Sequence, residues 1–247
     1  MGVVVGNWVL RQLGWLTPLS WMLPPLAVLF LVEGHAAAKS YVRAQGCGIA
    51  YREWLGRRLA RFFGPVAWLL GLWAVVAIVM PTLGVGVGTV LAQSGTALSS
   101  LWFLPVLAML TAVTPVAARI GPLWPLAVVL HVDVARLGAG GPDMLGWVGA
   151  VAGWLVPFGL GAVWARDGFG TRRAGWCLLA GGSVAAAGLA GWGDYPLSTL
   201  GAAGSAVAGP ALAAVSLGLA QCGLALLLYE PLGRAATRAS GRPTEPT

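Results

Sequence analysis

The chain has 247 residues, of which 58% are hydrophobic and only 9% are charged. Soluble domains carry about 25% charged residues, so this composition excludes an ordinary soluble domain and points to an integral membrane protein. The formal net charge of +7 does not make nucleic acid an expected partner, because the basic residues fall in short clusters between apolar stretches, which is the pattern of membrane orientation.

A span needs about 20 apolar residues, fewer when short or half-inserted. The pattern predicts eight spans: 2–14 (short), 19–38, 65–92, 99–118, 122–137 (short), 144–165, 174–192 and 206–229. The N-terminal MGVVVGNWVLRQ has no basic n-region and no A-x-A exit, so no cleavable signal peptide is expected. After the second span come Lys39, Arg43, Arg52, Arg57, Arg58 and Arg61. Within that connection YREWLGRRLARFF alternates Arg with Trp, Leu and Phe at helical spacing. It reads as an amphipathic helix on the cytoplasmic leaflet, either a plain anchor or a grip for an anionic headgroup or diphosphate. GVGVG at 84–88 lacks the flanking strand and the Lys of a phosphate loop, and reads as helix packing or a break. Arg119 follows the fourth span, Arg166, Arg172 and Arg173 the sixth, and Arg234, Arg238 and Arg242 the eighth. The opposite connections, GAGGPD and GDYPLSTLGAAGS, carry acids and no Lys or Arg.

Alternate connections are therefore basic, which predicts both termini cytoplasmic in a multi-pass cell-membrane protein. The fold class expected is all-α: a polytopic transmembrane helix bundle of about eight spans with one cytoplasmic amphipathic helix. It forms a single transmembrane domain over 1–232, and the polar 233–247 is a disordered cytoplasmic tail. Cys47, Cys177 and Cys222 are far apart, odd in number and without metal spacing, so neither a disulfide framework nor a metal site is expected, and no cofactor is expected.

Polar groups at membrane depth mark candidate sites, because charge there costs several kcal/mol by most scales. In LFLVEGHAAAKS, Glu33 has no cation in its own turn, and His35 follows two residues later. Glu33 either snorkels to the surface or faces a cavity, where desolvation favours a proton-carrying acid able to donate. HVDVARLG holds His131, Asp133 and Arg136. Asp133 and Arg136 share a helix face and neutralise each other in the structural reading, whereas in the functional one Asp133 is a second acid. His131 reads as a packing residue. Asn7, Gln221 and Asp194–Tyr195 complete the set. Trp8, Trp15, Trp21, Trp102 and Trp147 read as interface-belt residues. Trp68, Trp73, Trp154, Trp164 and Trp176 are either packing or the wall of an apolar pocket whose π faces hold a cation. The candidate catalytic residues are thus Glu33 and Asp133, and the candidate substrate-binding residues are Asn7, His35, His131, Trp68, Trp73 and Trp154.

The segments LSWMLPPLAVLFLVEGHAAAKSY, WLGRRLARFFGPVAWLLGLW, LWFLPVLAMLTAVTPVAAR, HVDVARLG, WLVPFGLGAVWARDGF and YPLSTLGAAGSAVAGPALAAVSLGLAQCGLALLL resemble, in order, the membrane acyltransferase-3 family in its actinobacterial form. The resemblance implies a ten-span protein that moves acyl groups from a cytoplasmic donor to carbohydrate or other acceptors. It also sets Asn7 where the family's catalytic histidine stands in the first span, and an amide is no general base. The family's preceding arginine has no counterpart before Asn7, its last two spans have none after 229, and a small residue is usual where this chain has Glu33. That exchange of a base for a buried acid suits acid-initiated chemistry, and the architecture is similar to small bacterial membrane-bound class II terpene cyclases.

Three readings follow. In the leading one, Glu33, with or without Asp133, protonates an epoxide or alkene of a polyprenyl chain, and tryptophans hold the cation. Its expected partners are a lipophilic small-molecule substrate, membrane lipids and an upstream prenyltransferase or epoxidase. The second is a divergent acyltransferase with His35 or His131 as base. The third is a non-catalytic membrane scaffold.

Overall fold

In the computed structural model, the described residues are 26–82, 86, 88, 103–142, 144–167, 171–191 and 211–239. They form eight α-helices and no strand: α1 Leu26–Gly46, α2 Tyr51–Thr82, α3 Phe103–Ala112, α4 Thr114–Ile120, α5 Leu123–Ala139, α6 Met144–Asp167, α7 Thr171–Gly191 and α8 Ala211–Ala239. The predicted span 2–14, with Asn7, lies outside the described residues, as does the start of the second span. Four helices among the described residues are long and apolar enough to cross a membrane, over Tyr51–Met80, Met144–Arg166, Arg172–Gly191 and Leu212–Tyr229. The broken pair α3 and α4 makes a fifth if it is counted as one span. Helices α1 and α5 stand where spans were expected but do not add to that number.

The helix ends follow from local chemistry. Gly48 (φ 68) ends α1, with the amide of Ile49 donating to Ala44 O at 2.9 Å. Gly140 (φ 62) ends α5, with the amide of Gly141 donating to Ala135 O at 3.1 Å. Both are left-handed glycine terminations in which an amide reaches back past the cap to a carbonyl of the last turn. Between α3 and α4 the helix breaks just before Pro115, whose nitrogen cannot donate. The carbonyl that nitrogen would have served, Thr111 O, accepts instead from Thr114 Oγ1 at 2.7 Å.

Two helices run further than the sequence suggests. YREWLGRRLARFF is not a separate surface helix: it is the first part of α2, which continues through Gly64–Pro65 to Thr82. Pro65 removes one backbone bond, but a break there would leave several more groups unpaired where lipid offers no partner. Likewise α8 passes through Pro231 to Ala239, where a disordered tail was expected from 233.

The contacts divide the chain into two compact units, 1–39 with 116–247 and 40–115. In the first, Val129, Ala152, Val156 and Val215 form one buried cluster from α5, α6 and α8, and Leu31, Cys222 and Leu226 form another between α1 and α8. Helices α7 and α8 meet backbone to backbone. A Cβ placed on Gly182 would lie 2.6 Å from Ser216 O, and one on Gly223 2.4 Å from Leu179 N. Such small-residue contacts are how membrane helices gain packing without a hydrophobic driving force. In the second unit the C-terminal part of α1 packs on the start of α2. Ser40 Oγ there accepts from Trp54 Nε1 at 3.1 Å and from Arg58 Nη1 at 2.8 Å, and Tyr51 Oη donates to Ala112 O.

Candidate functional site

Helices α1 and α6 cross on two glycines. A Cβ on Gly34 would sit 2.1 Å from Phe158 O, and one on Gly161 would sit 2.0 Å from Leu31 O and 2.8 Å from His35 N. Only hydrogens fit there, so the backbones touch. That contact brings the His35 ring onto Trp164 of α6, with centroids 4.1 Å apart and planes tilted by 37°. Trp164 in turn meets Tyr229 of α8 edge-on, at 5.3 Å and 89°. Behind these rings lies the apolar cluster of Leu31, Cys222 and Leu226, packed by Ala27, Leu160 and Leu178. The Cys222 thiol is turned away, donating to Ala27 O at 3.5 Å.

Within this aromatic and aliphatic setting His35 Nδ1 is buried and has no hydrogen-bond partner among the described residues. An unmade bond on a buried nitrogen costs about 1–3 kcal/mol, and such groups in folded proteins call for an explanation, a catalytic role being one. Its lone pair is available whenever the ring proton sits on Nε2.

Among the described residues, the others singled out from the sequence are not part of this ring contact, and Asn7, Asp194 and Tyr195 lie outside the described residues. Glu33 is partly buried and has interactions of its own. Two residues along a helix turn about 200°, so its side chain leaves α1 on the side away from His35, and the two groups that look paired in LFLVEGHAAAKS do not form one site. His131 is exposed, its Nδ1 2.7 Å from Ala127 O one turn back, so it serves its own helix. Trp68 is 81% exposed. Trp73 and, on α6, Trp154 are partly buried. Tyr229 went unnoticed in the sequence. No periodicity could have marked it, since its partner Trp164 is on another helix.

Asp133 is buried, and its Oδ2 accepts from the Leu212 amide at 2.7 Å. A carboxylate on α5 thus caps the N-terminus of α8, where unpaired amides and the helix dipole favour negative charge. Asp133→Ala is expected to lower stability by about 1 kcal/mol, the usual worth of an N-terminal cap. Asp133→Asn keeps an acceptor and should melt within a few degrees of the wild type. Thermal unfolding in detergent with parallel activity assays checks this, since an obligatory proton donor would instead lose activity in Asn while keeping its fold.

Arg166, at the end of α6, donates to Ala118 O and so covers a carbonyl of the last turn of α4. Among the described residues no three His, Cys, Asp or Glu side chains gather as a metal site.

These features define a helical, membrane-type protein with an imidazole in an apolar, aromatic setting whose Nδ1 has no partner among the described residues. A family model described as an acyltransferase domain, Acyl_transf_3, matches residues 26–240. The chain belongs to this acyltransferase-3 family. Curated proteins and solved structures give no match.

Proposed function

We propose that this protein is an O-acyltransferase of the membrane, carrying an acyl group from an activated donor to a hydroxyl of a lipophilic acceptor, with His35 as general base. The observation that carries the reading is the buried Nδ1 of His35, without a partner among the described residues, in a chain of the acyltransferase family. His35 Nδ1 would take the proton of the acceptor hydroxyl as its oxygen attacks the donor carbonyl. The new C–O bond forms, the tetrahedral intermediate collapses with cleavage of the bond to the leaving group, and the imidazolium returns its proton to that group. The apolar neighbours Leu31, Leu226 and Trp164 favour an acceptor with extended hydrocarbon around its hydroxyl over a sugar. Sugar recognition would ask for several polar side chains beside the base.

Of the sequence readings, this one now stands ahead of acid-initiated cyclisation. Glu33 lies on a different side of α1 from the aromatic pair, and Asp133 has a capping role. His35 is preferred to His131 because His131 is committed to its own helix. Asn7, at the family's histidine position, supplies no base. We also infer a multi-pass arrangement with both termini cytoplasmic, from the basic clusters.

The test is donor dependence. Membranes containing the protein and a panel of lipophilic alcohols should yield esters only when an acyl thioester is added, and Glu33→Gln should leave the rate within about threefold of wild type. Cyclised product from an epoxidised polyprenyl substrate without any acyl donor, lost in Glu33→Gln, would overturn the proposal.

A further inference from the structure

The hairpin formed by the end of α1 and the start of α2 holds a set of arginines to which the proposed acyl transfer assigns no role. Arg58 is 9% exposed, its Nη1 on Ser40 Oγ at 2.8 Å and its guanidinium 5.7 Å from the Phe62 ring centroid. Trp54, also buried, shares the same serine oxygen, so the position of Arg58 is set by packing from both helices. Arg61, three residues on, and Arg57, four before Arg61, project from the adjoining side of α2 and are exposed. Arg57 also meets Glu53 at 2.5 Å. Immediately beyond Arg61 the same helix becomes apolar and outward-facing, with Phe63 42%, Trp68 81% and Ile78 72% exposed. At about 1.5 Å per residue, the arginines stand within a turn or two of where the apolar stretch begins. That is headgroup depth in a bilayer.

We propose that this side of the hairpin binds the phosphate group of an anionic phospholipid, with Arg61 and Arg57 contacting its oxygens and the fixed charge of Arg58 behind them. Guanidinium forks match phosphate geometry, and an apolar helix rising directly from the arginines gives the lipid's acyl chains a surface to lie on. Plain orientation by positive charge makes no distinction between one exposed arginine and another. A site does. Arg52 is equally exposed, but nine residues from Arg61 is half a turn out of phase, so it faces the opposite side of α2.

Full-length protein is reconstituted in phosphatidylcholine vesicles containing phosphatidylglycerol, extracted in mild detergent, and its retained lipids are counted by native mass spectrometry. Phosphatidylglycerol should be enriched over phosphatidylcholine. Arg61→Gln should cut that enrichment about fivefold, the usual worth of one basic residue at an anionic surface, while Arg61→Lys keeps part of it and Arg52→Gln leaves it unchanged. Equal retention of the two lipids, or equal losses in Arg61→Gln and Arg52→Gln, would overturn the site. Displacement of the lipid by inorganic phosphate at constant ionic strength would assign the arginines to a soluble phosphate and so overturn the lipid assignment. Thermal unfolding of each variant confirms that the exposed arginines are not needed for folding. None of these readouts depends on acyl transfer.

Discussion

Replacing His35 by glutamine is expected to lower acyl transfer by about a thousandfold, within the range typical for losing a general base. The side chain keeps a polar end group but no group that accepts a proton near neutral pH. The unmade hydrogen bond of Nδ1 adds a second expectation: glutamine brings a new buried amide to the same apolar site, so stability should not rise. His131→Gln is the matched control, because that ring is exposed and bonded to Ala127 O of its own helix; its rate should stay within about twofold. Trp164→Phe keeps a ring against His35 and should cost less than Trp164→Ala, which removes the face that orients the imidazole. Initial rates with a saturating acyl thioester, normalised to folded protein, decide the matter. A wild-type rate for His35→Gln would take His35 out of the mechanism.

Gly161→Val should be the most damaging change away from the polar groups. Even the first carbon of a side chain there would lie 2.0 Å from Leu31 O and 2.8 Å from His35 N, both backbone atoms that cannot rotate away. Helices α1 and α6 would have to separate along their crossing, and the close approach of Gly34 to Phe158 would open with them. Overpacking of this kind costs about 1–3 kcal/mol and occasionally more. The prediction is a clear fall in the midpoint of thermal unfolding followed by circular dichroism, together with loss of activity as His35 leaves Trp164. Gly188→Ala is the control, since a Cβ there meets nothing within 4 Å. Its better helix propensity should hold or slightly raise the midpoint. If Gly161→Val melted like Gly188→Ala, the close crossing of α1 and α6 would be wrong.

Much of the molecule could be read from the amino acids alone. Low charge and long apolar runs dictate helices that satisfy their own backbone bonds, and helices stand at 123–139, 144–167 and 171–191, close to the expected spans. Glycines with no Cβ to hinder positive φ end α1 and α5, and Pro115 coincides with the break between α3 and α4, as a residue lacking an N–H should. Where the sequence misled, it did so through the same local logic. Gly64–Pro65 looks like a boundary, yet α2 runs through it, because one lost bond costs less than ending a helix in lipid.

The site was a different matter. Helical periodicity relates a residue only to neighbours three or four places away, so it can set Glu33 and His35 on different sides of one helix and Asp133 beside Arg136, but it cannot name a partner on another helix. Tertiary packing added the Leu212 amide at the start of α8 as a partner of Asp133. It also made His35, Trp164 and Tyr229 neighbours across three helices. His131 is spent on its own helix, whereas His35 meets Trp164 because Gly34 and Gly161 let two backbones touch. That meeting is made by contacts between residues more than a hundred positions apart, and no local pattern in the chain encodes it.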